Sequence, residues 1–392
     1  MRSWNRALWL LSGLLVAQST SAQDLASSNP VQDAASPNAN PSWQQVLPRS
    51  PVDRLTLHTT GGDQSGAWVP LGPIPVDQAG AGRRGYVLPA EGSDVTLAGA
   101  SQFSIHTVAA NNFYREQTSD FLVSQHYETH TLAIGYRRGF ALGRFPRFEI
   151  GGQLQLHQAD GGMLNDFIEG FESLWGSMTG NPSSKNLLRT GETPPPQGTV
   201  IARDGSPIYR DTGSGSGLGD VSLIAKAVLV DGGPASRAAR VSARIGVNVA
   251  GSSQFSAGSF VGAGLSLDKK LLEWLAFHGD VRATRILDGV SPFNLPLRRM
   301  TYGFSVGPEL RLPRNSSFGL QIDGSTSPYL PTGTLAFDEG YGDVTFSVGH
   351  RFATASREVT MHFYARENMN MPFQVRWNTD PDLSVGLKVT VR

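Results

Sequence analysis

The residues best suited to chemistry are few and scattered. His126 and His130 stand four apart with Glu128 between them. In a strand, even spacing puts all three on one face. There they make either a metal-binding or base-bearing patch, or simply a polar strand end near a rim. Asp166, Glu169 and Glu172 recur every third residue, a spacing that gathers acids on one helix face. Such a run either takes a divalent cation or faces solvent. Gly213, Gly215, Gly217 and Gly219 are dense enough to cradle a phosphate, but a phosphate loop must open a helix. The alternation after them predicts a strand, so here the glycines serve a sharp turn. Hydrolysis of lipid at a barrel's outer face needs a Ser beside a His, backed by Asn or a carboxylate. No serine stands in such a context beside His126, His278, His350 or His362. No catalytic residue, cofactor or metal is therefore assigned, and a lipid-acting enzyme is kept only as an alternative.

The elements that must position these residues are short and turn-rich. The chain has 392 residues, 45 Gly, 24 Pro and 17% charged residues, little charge and much punctuation for a large buried core. With 33 basic against 33 acidic side chains there is no basic excess to hold nucleic acid. The absence of cysteine excludes disulfides, thiol catalysis, cysteine-ligated metal and a lipid anchor built on cysteine.

Residues 1–22 read as a secretory signal peptide: Arg2 and Arg6, an apolar run from Ala7 to Val16, then Thr20, Ser21 and Ala22 before Gln23. The run is too short to span a bilayer as a helix. Residues 23–50, rich in Ser, Ala, Asn, Gln and Pro, are expected to be a disordered leader. Residues 51–92, with Pro70, Pro73 and Pro75, are expected to form a periplasmic segment or a plug in a lumen.

From residue 93 the pattern has period 2. Phe148, Ile150, Leu154 and Leu156 share one face, and Glu149, Gln153, Gln155 and His157 the other. Alternation of this kind marks half-buried strands. It predicts twelve: 95–108, 120–136, 147–157, 218–230, 238–250, 259–268, 274–286, 299–312, 317–326, 342–353, 357–367 and 382–391. The gaps alternate too. Those at 109–119, 158–217, 287–298, 327–341 and 368–381 are long, whereas 251–258 and the intervening ones are short. Short turns at one end, long loops at the other and an even strand count are the signature of an outer-membrane barrel. The expected fold is all-β: a transmembrane antiparallel β-barrel of about twelve strands over residues 93–392. One amphipathic helix is expected at 163–175 in the long external loop 158–217. Met163, Leu164, Phe167, Ile168, Phe171, Leu174 and Trp175 supply its apolar stripe. The helix would cap the barrel, enter it or lie at the membrane interface.

In lipid the apolar face turns outward and the polar face lines the lumen. The lumen is then expected to hold Glu149, Arg240, Arg244, Asp280, Arg282, Glu309, Arg311, Arg351 and Arg366, together with Lys226, Lys388, Asp220, Asp323, Asp343 and Glu358. Neither sign dominates, so the interior is either closed by ion pairs or wet and open to neutral or mixed solutes. Phe140, Phe145, Trp274, Tyr302, Phe352 and Trp377 are candidates for interfacial girdles. Strand counting places Asn111, Asn112, Asp166, Glu169 and Asp220 at one end of the barrel. They are expected to converge at the external mouth, where the amides would fix the helix by donating to the carboxylates.

Four motifs occur in order: Gly72-Pro73-Ile74-Pro75-Val76, Ala110-Asn111-Asn112-Phe113, Asp166-Phe167-Ile168-Glu169-Gly170-Phe171 and Gly217-Leu218-Gly219-Asp220. Over about residues 72–392 they make the chain resemble an uncharacterised Gram-negative family, a domain of unknown function expected to form an outer-membrane β-barrel. The sequence departs from that family at Glu172, where the family shows a His, and from outer-membrane barrels generally in ending on Arg392 rather than an aromatic residue. The resemblance implies architecture and location rather than an activity. The expected function is an outer-membrane barrel acting as a passive pore or as a transport or structural barrel. The alternatives are a lipid-acting barrel enzyme and a receptor or adhesin barrel using loop 158–217. Expected partners are the outer-membrane bilayer, the barrel-insertion machinery and a small solute, with no nucleic acid.

Overall fold

A computed structural model describes residues 68–75, 86–143, 145–160, 198–211, 214–232, 238–249, 255, 258–289, 291, 294–338, 340–353, 357–368 and 383–392. In it, β1 (Ser101–Gln117), β2 (Phe121–Leu142) and β3 (Phe145–Asp160) are followed by two short strands, β4 (Gly198–Arg203) and β5 (Ser206–Asp211). Then come β6 (Gly215–Val230), β7 (Arg240–Val249), β8 (Phe260–Leu272), β9 (Leu275–Ile286) and β10 (Met300–Leu312). The last are β11 (Ser316–Ser325), a one-turn helix α1 (Leu335–Asp338), β12 (Tyr341–Ala353), β13 (Glu358–Asn368) and β14 (Leu383–Val391).

Each long strand pairs antiparallel with the next, β3 passing to β6, and β14 returns to β1. Twelve strands thus close on themselves. Closure leaves no unpaired edge, which is what a sheet needs where no water can satisfy backbone groups. The burial pattern identifies the medium outside. In β7, Arg244 is 3% exposed while its neighbour Ile245 is 63% exposed. The same inversion puts Leu265, Val281, Phe304, Phe346, Val348 and Phe363 on the outer surface. A water-soluble sheet would do the reverse; a barrel in lipid does this. Phe140, Trp274 and Phe352 are exposed at the end of the tight turns and Tyr302 at the opposite, loop end, while Phe145 is half-buried; Trp377 lies outside the described residues.

Three stretches differ from expectation. Residues 95–100, expected to open the first strand, precede it, since β1 begins at Ser101. Residues 109–117 are strand rather than loop: β1 and β2 pair without a break from Ser101↔Arg138 to Gln117↔Leu122. Only 118–120 remain for the turn, where the Thr118 hydroxyl accepts from the Phe121 amide at 3.0 Å. Pairing to a long partner strand overrode the polar composition of Asn111 to Gln117. Within the long loop, β4 and β5 form a hairpin docked on the loop-end half of β2, with Phe121↔Arg203 through His126↔Gly198 in register. Its turn is Asp204-Gly205, both at positive φ (50° and 76°). Asp-Gly suits the turn type whose twist matches paired strands. The helix expected at 163–175 lies outside the described residues.

Candidate functional site

The enclosed face of the barrel is the one place where many polar side chains converge, and its geometry follows from strand parity. On β7 and β9 every second residue points inward, which puts Arg244 level with Gly264 of β8 and Arg282 of β9, one inward position along from Asp280. Arg244 Nη1 lies 2.5 Å and Nη2 3.0 Å from the two Asp280 oxygens, a bidentate pair. Arg282 Nη1 reaches Asp280 at 2.9 Å, and its Nη2 stands 3.9 Å from Asp323. Further round, Arg366 pairs with Asp343. Nearer the turn end, His278 sits between Asp268 and Glu309, 2.8 Å from each. Arg137 bridges Glu149 at 2.7 Å and Glu91 at 2.5 Å.

Glu91 belongs to a stretch of chain that runs inside this wall. Ascending from the turn-end half, the Leu71 and Gly72 amides donate to Glu309 at 2.8 and 3.0 Å. Ile74 exchanges two bonds of 2.9 Å with the Gln321 amide group. Beyond the undescribed residues 76–85, Tyr86 O accepts from Thr301 Oγ1 at the loop end, 2.7 Å. The chain then descends. Leu88 N donates to Thr284 Oγ1 at 3.2 Å, and Pro89 O accepts from Arg244 at 2.9 Å. Lys226 Nζ donates to Gly92 O and Asp94 O at 2.5 and 2.7 Å, Ser93 N to Asp268 at 2.6 Å, and Thr96 N to Glu149 at 2.7 Å. Asp94 meets Arg240 and Arg392 at the turn-end rim, 2.9 and 2.5 Å away.

The fit is steric as well as polar. Gly246 and Gly262 are register partners on β7 and β8, and a Cβ on either would come within 2.8 Å of the Leu88 side chain. Real Cβ atoms do not approach that closely, so only this glycine pair admits Leu88. Buried in apolar surroundings a carboxyl titrates high, but at Glu91 the Arg137 and Lys226 charges outweigh burial and hold it well below the ordinary carboxylate range.

At the loop end, Tyr86, Phe121, Val123, Ile201, Ile286, Leu295, Leu297, Tyr329 and Phe337 make one apolar cluster. Tyr329 packs edge-on against Phe337 with centroids 4.9 Å apart.

The candidate lumen residues are placed as follows. Glu149, Arg240, Arg244, Asp280, Arg282, Glu309 and Arg366 are buried in the wall. Arg351 is partly exposed and donates to Pro70 O at 3.4 Å. Arg311 is exposed instead of enclosed: it falls past Glu309, where β10 emerges at the turn end. The candidate mouth cluster does not form from its described members. Asn111 lies inside β1, paired with Glu128 and Leu383, and alternation turns it away from the inward Val108 and Ala110. Asn112 pairs with Tyr127 in the same strand. Asp220 lies within β6 rather than at its start and accepts at 2.7 Å from Asn248 of β7. Asp166 and Glu169 lie outside the described residues. On the outer face, His130 Nε2 is 3.0 Å from Glu128 and 3.6 Å from Asp160.

Arg137, Asp268 and His278 were missed by sequence reasoning, although Arg137 only continues the odd-numbered inward run of β2 by one residue past the expected strand end. A second signal was invisible in one dimension. Ser316 and His350 are cross-strand neighbours on the outer face of β11 and β12, with Ser316 Oγ 2.8 Å from His350 Nδ1. A serine does stand beside His350, contrary to expectation. Among the described residues no carboxylate pairs with that imidazole.

No family model and no curated protein matches the chain; the barrel implied by the resemblance to an uncharacterised family is present, whereas membership is not shown. Among solved structures, an outer-membrane channel from Pseudomonas putida F1 is similar at 12% identity and TM-score 0.46, over 76% of this chain and 97% of that one. The transport unit of the autotransporter AIDA-I from Escherichia coli is similar at 6% identity and TM-score 0.38, over 75% and 89%. The CymD monoaromatic hydrocarbon channel is similar at 10% identity and TM-score 0.34, over 75% and 88%. Likenesses this distant are descriptive, and the fold rests on the chain's own strand pairing.

Proposed function

We propose that this chain is an outer-membrane barrel that passes a small solute, with residues 68–98 acting as an internal plug that narrows its route. The observation that carries the reading is the pairing of an apolar outer wall with a charged inner one that bonds both within itself and to that segment. Wall side chains alone fill a barrel of about eight strands; twelve strands enclose more space, which the segment and the charged side chains share here. Export through the signal peptide of residues 1–22 and insertion by the barrel-assembly machinery belong to the same reading, with the tight turns in the periplasm. Conductance of the purified protein in planar bilayers is the test. Steps of current are expected from the full chain, and larger ones from a variant lacking residues 51–92. Silence of both at every voltage, with barrels shown to be folded by heat-dependent gel migration, overturns the channel.

A further inference from the structure

Between the inward segment and the wall from β12 round through β1 to β9 lies a cavity of about 160 Å³. Its acids are Glu91, Asp94, Glu149, Asp268 and Glu358. Each already faces a base: Arg137 and Lys226 on Glu91, Arg240 and Arg392 on Asp94, Arg137 on Glu149, His278 on Asp268, and Arg351 on Glu358. Lys388 lines the same cavity and, among the described residues, has no ion pair.

Its neighbours are also bases. Lys388 is in direct register with His106 on β1 and with His362 on β13. Side chains opposite each other on one face of a sheet have Cβ atoms about 5 Å apart, so two imidazoles flank the ammonium. His362 is 8% exposed, and both its ring nitrogens are buried without a partner. It lines a small hollow of about 20 Å³ that shares Leu71, Gly72, Pro73 and His278 with the larger cavity. The His106 ring is held in place by Tyr364, whose hydroxyl lies 2.8 Å from Nε2. Tyr364 reaches it by crossing Gly386 of β14, where a Cβ would come 2.3 Å from the Tyr364 ring. A partnerless polar group in a low-dielectric setting is costly. An ammonium and an imidazole set side by side, neither paired with an acid among the described residues, are complementary to an anion.

We propose that Lys388 and His362 form an anion-binding site in the lumen, beside the Tyr364-held His106, that takes a small carboxylate solute. This rests on the channel reading and names its class of cargo. Lys388 supplies the point charge and the His362 imidazole N–H the directional donor. The cavity is smaller than the roughly 300–1,000 Å³ of pockets for drug-sized ligands, which fits an acid of a few heavy atoms and excludes an oligosaccharide.

Equilibrium binding of benzoate and acetate to the purified full-length protein in zwitterionic detergent tests the site without requiring conduction. The wild type is expected to bind at least one of them. Lys388→Gln should weaken that at least tenfold, while Lys388→Arg keeps most of it and Arg311→Gln, outside the lumen, leaves it unchanged. Heat-dependent gel migration reports whether each variant has folded, and the Arg variant keeps the test decisive should the Gln variant misfold. Equal binding by wild type and Lys388→Gln, no binding by wild type, or loss in the Arg variant with its barrel folded overturns the site. Binding without conductance would reject the channel and keep the site; conductance without binding would do the opposite.

Discussion

From β7 to β11 the inward face sets acid against base; from β13 to β1, at the level of Lys388, it sets base against base. In the first sector Asp280 serves Arg244, Arg282 and the Ser266 hydroxyl together, and the segment backbone completes the pattern at Pro89. In the second, Lys388 stands between His106 and His362. The same sheet with the same parity thus has a sector whose charges are consumed in holding the fold and one whose charges are left over. The near balance of basic and acidic side chains at the inward positions concealed this. It suggested a lumen without bias, but bias is local: pairing removes the acids first and leaves a small basic sector.

The sharpest way to break this comparison is to delete a charge from each sector. Asp280→Ala leaves two buried guanidiniums facing each other, and removing one partner of a buried pair typically costs about 3–5 kcal/mol. A loss toward the lower end is expected, read as a shifted midpoint in denaturant titration of the micelle-bound barrel. Lys388→Gln orphans no acid, so the same titration should move by less than about 1 kcal/mol. Comparable losses in both would mean that Lys388 has a structural partner and that the two sectors do not differ.

Next in size is the seat of the segment. Gly262→Val drives a branched side chain into the space of Leu88, and overpacking of a filled site costs about 1–3 kcal/mol. The barrel has its own strand pairing, so the strain should appear as release of the segment. Protease cleavage within residues 86–98 is expected to quicken while the barrel band stays intact. Unchanged cleavage would show that Leu88 moves aside freely.

Smaller again is the effect of acid. The folded Glu91 carboxyl is held below its ordinary value because Arg137 and Lys226 outweigh burial. A depressed folded value means the stabilisation is fully present above the unfolded value of about 4.3 and is lost as pH falls toward the folded one. Hydrogen exchange of residues 88–96 should therefore be flat from pH 8 to 5, after correction for intrinsic rates, and protection should fall below about pH 4. In Glu91→Gln the part of that fall due to Glu91 should be missing, while a smaller part remains from Asp94, which the Arg392 and Arg240 charges also hold low against burial.

How far such sites could be read from the sequence depends on whether they lie along a strand or across strands. Period 2 runs along the chain, so the twelve strands and the inward rank of Arg244, Asp280 and Arg282 were legible in one dimension. The signal failed where composition and pairing disagreed. The run from Asn111 to Gln117 has no apolar alternation, yet it is strand because β2 continues beside it, and Asn111 consequently left the mouth for the outer face. The β4–β5 hairpin carried its own sign in Asp204-Gly205, hidden inside a stretch taken whole as loop. What no reading along the chain supplies is register: Lys388 lies 282 positions from His106, and only the closing pair of strands makes them neighbours.

Register also governs the smallest effect, at Ser316 and His350. Their contact at 2.8 Å has the composition of a nucleophile and its base, on the outer face where lipid lies. Catalysis needs a third group to hold the imidazole and raise its basicity, and donors for the developing oxyanion. The described neighbour of the ring is instead Phe352, with centroids 4.2 Å apart. With no carboxylate paired to the imidazole among the described residues, the contact reads as one cross-strand hydrogen bond worth about 1 kcal/mol or less. Ser316→Ala should therefore shift unfolding by no more than that and leave conductance and anion binding unchanged. Purified wild type should release no fatty acid from phospholipid vesicles or lipid A. Release that disappears in both Ser316→Ala and His350→Ala would show instead that the outer face of β11 and β12 is an active site, and that the charge left over at Lys388 is not the only chemistry this wall holds in reserve.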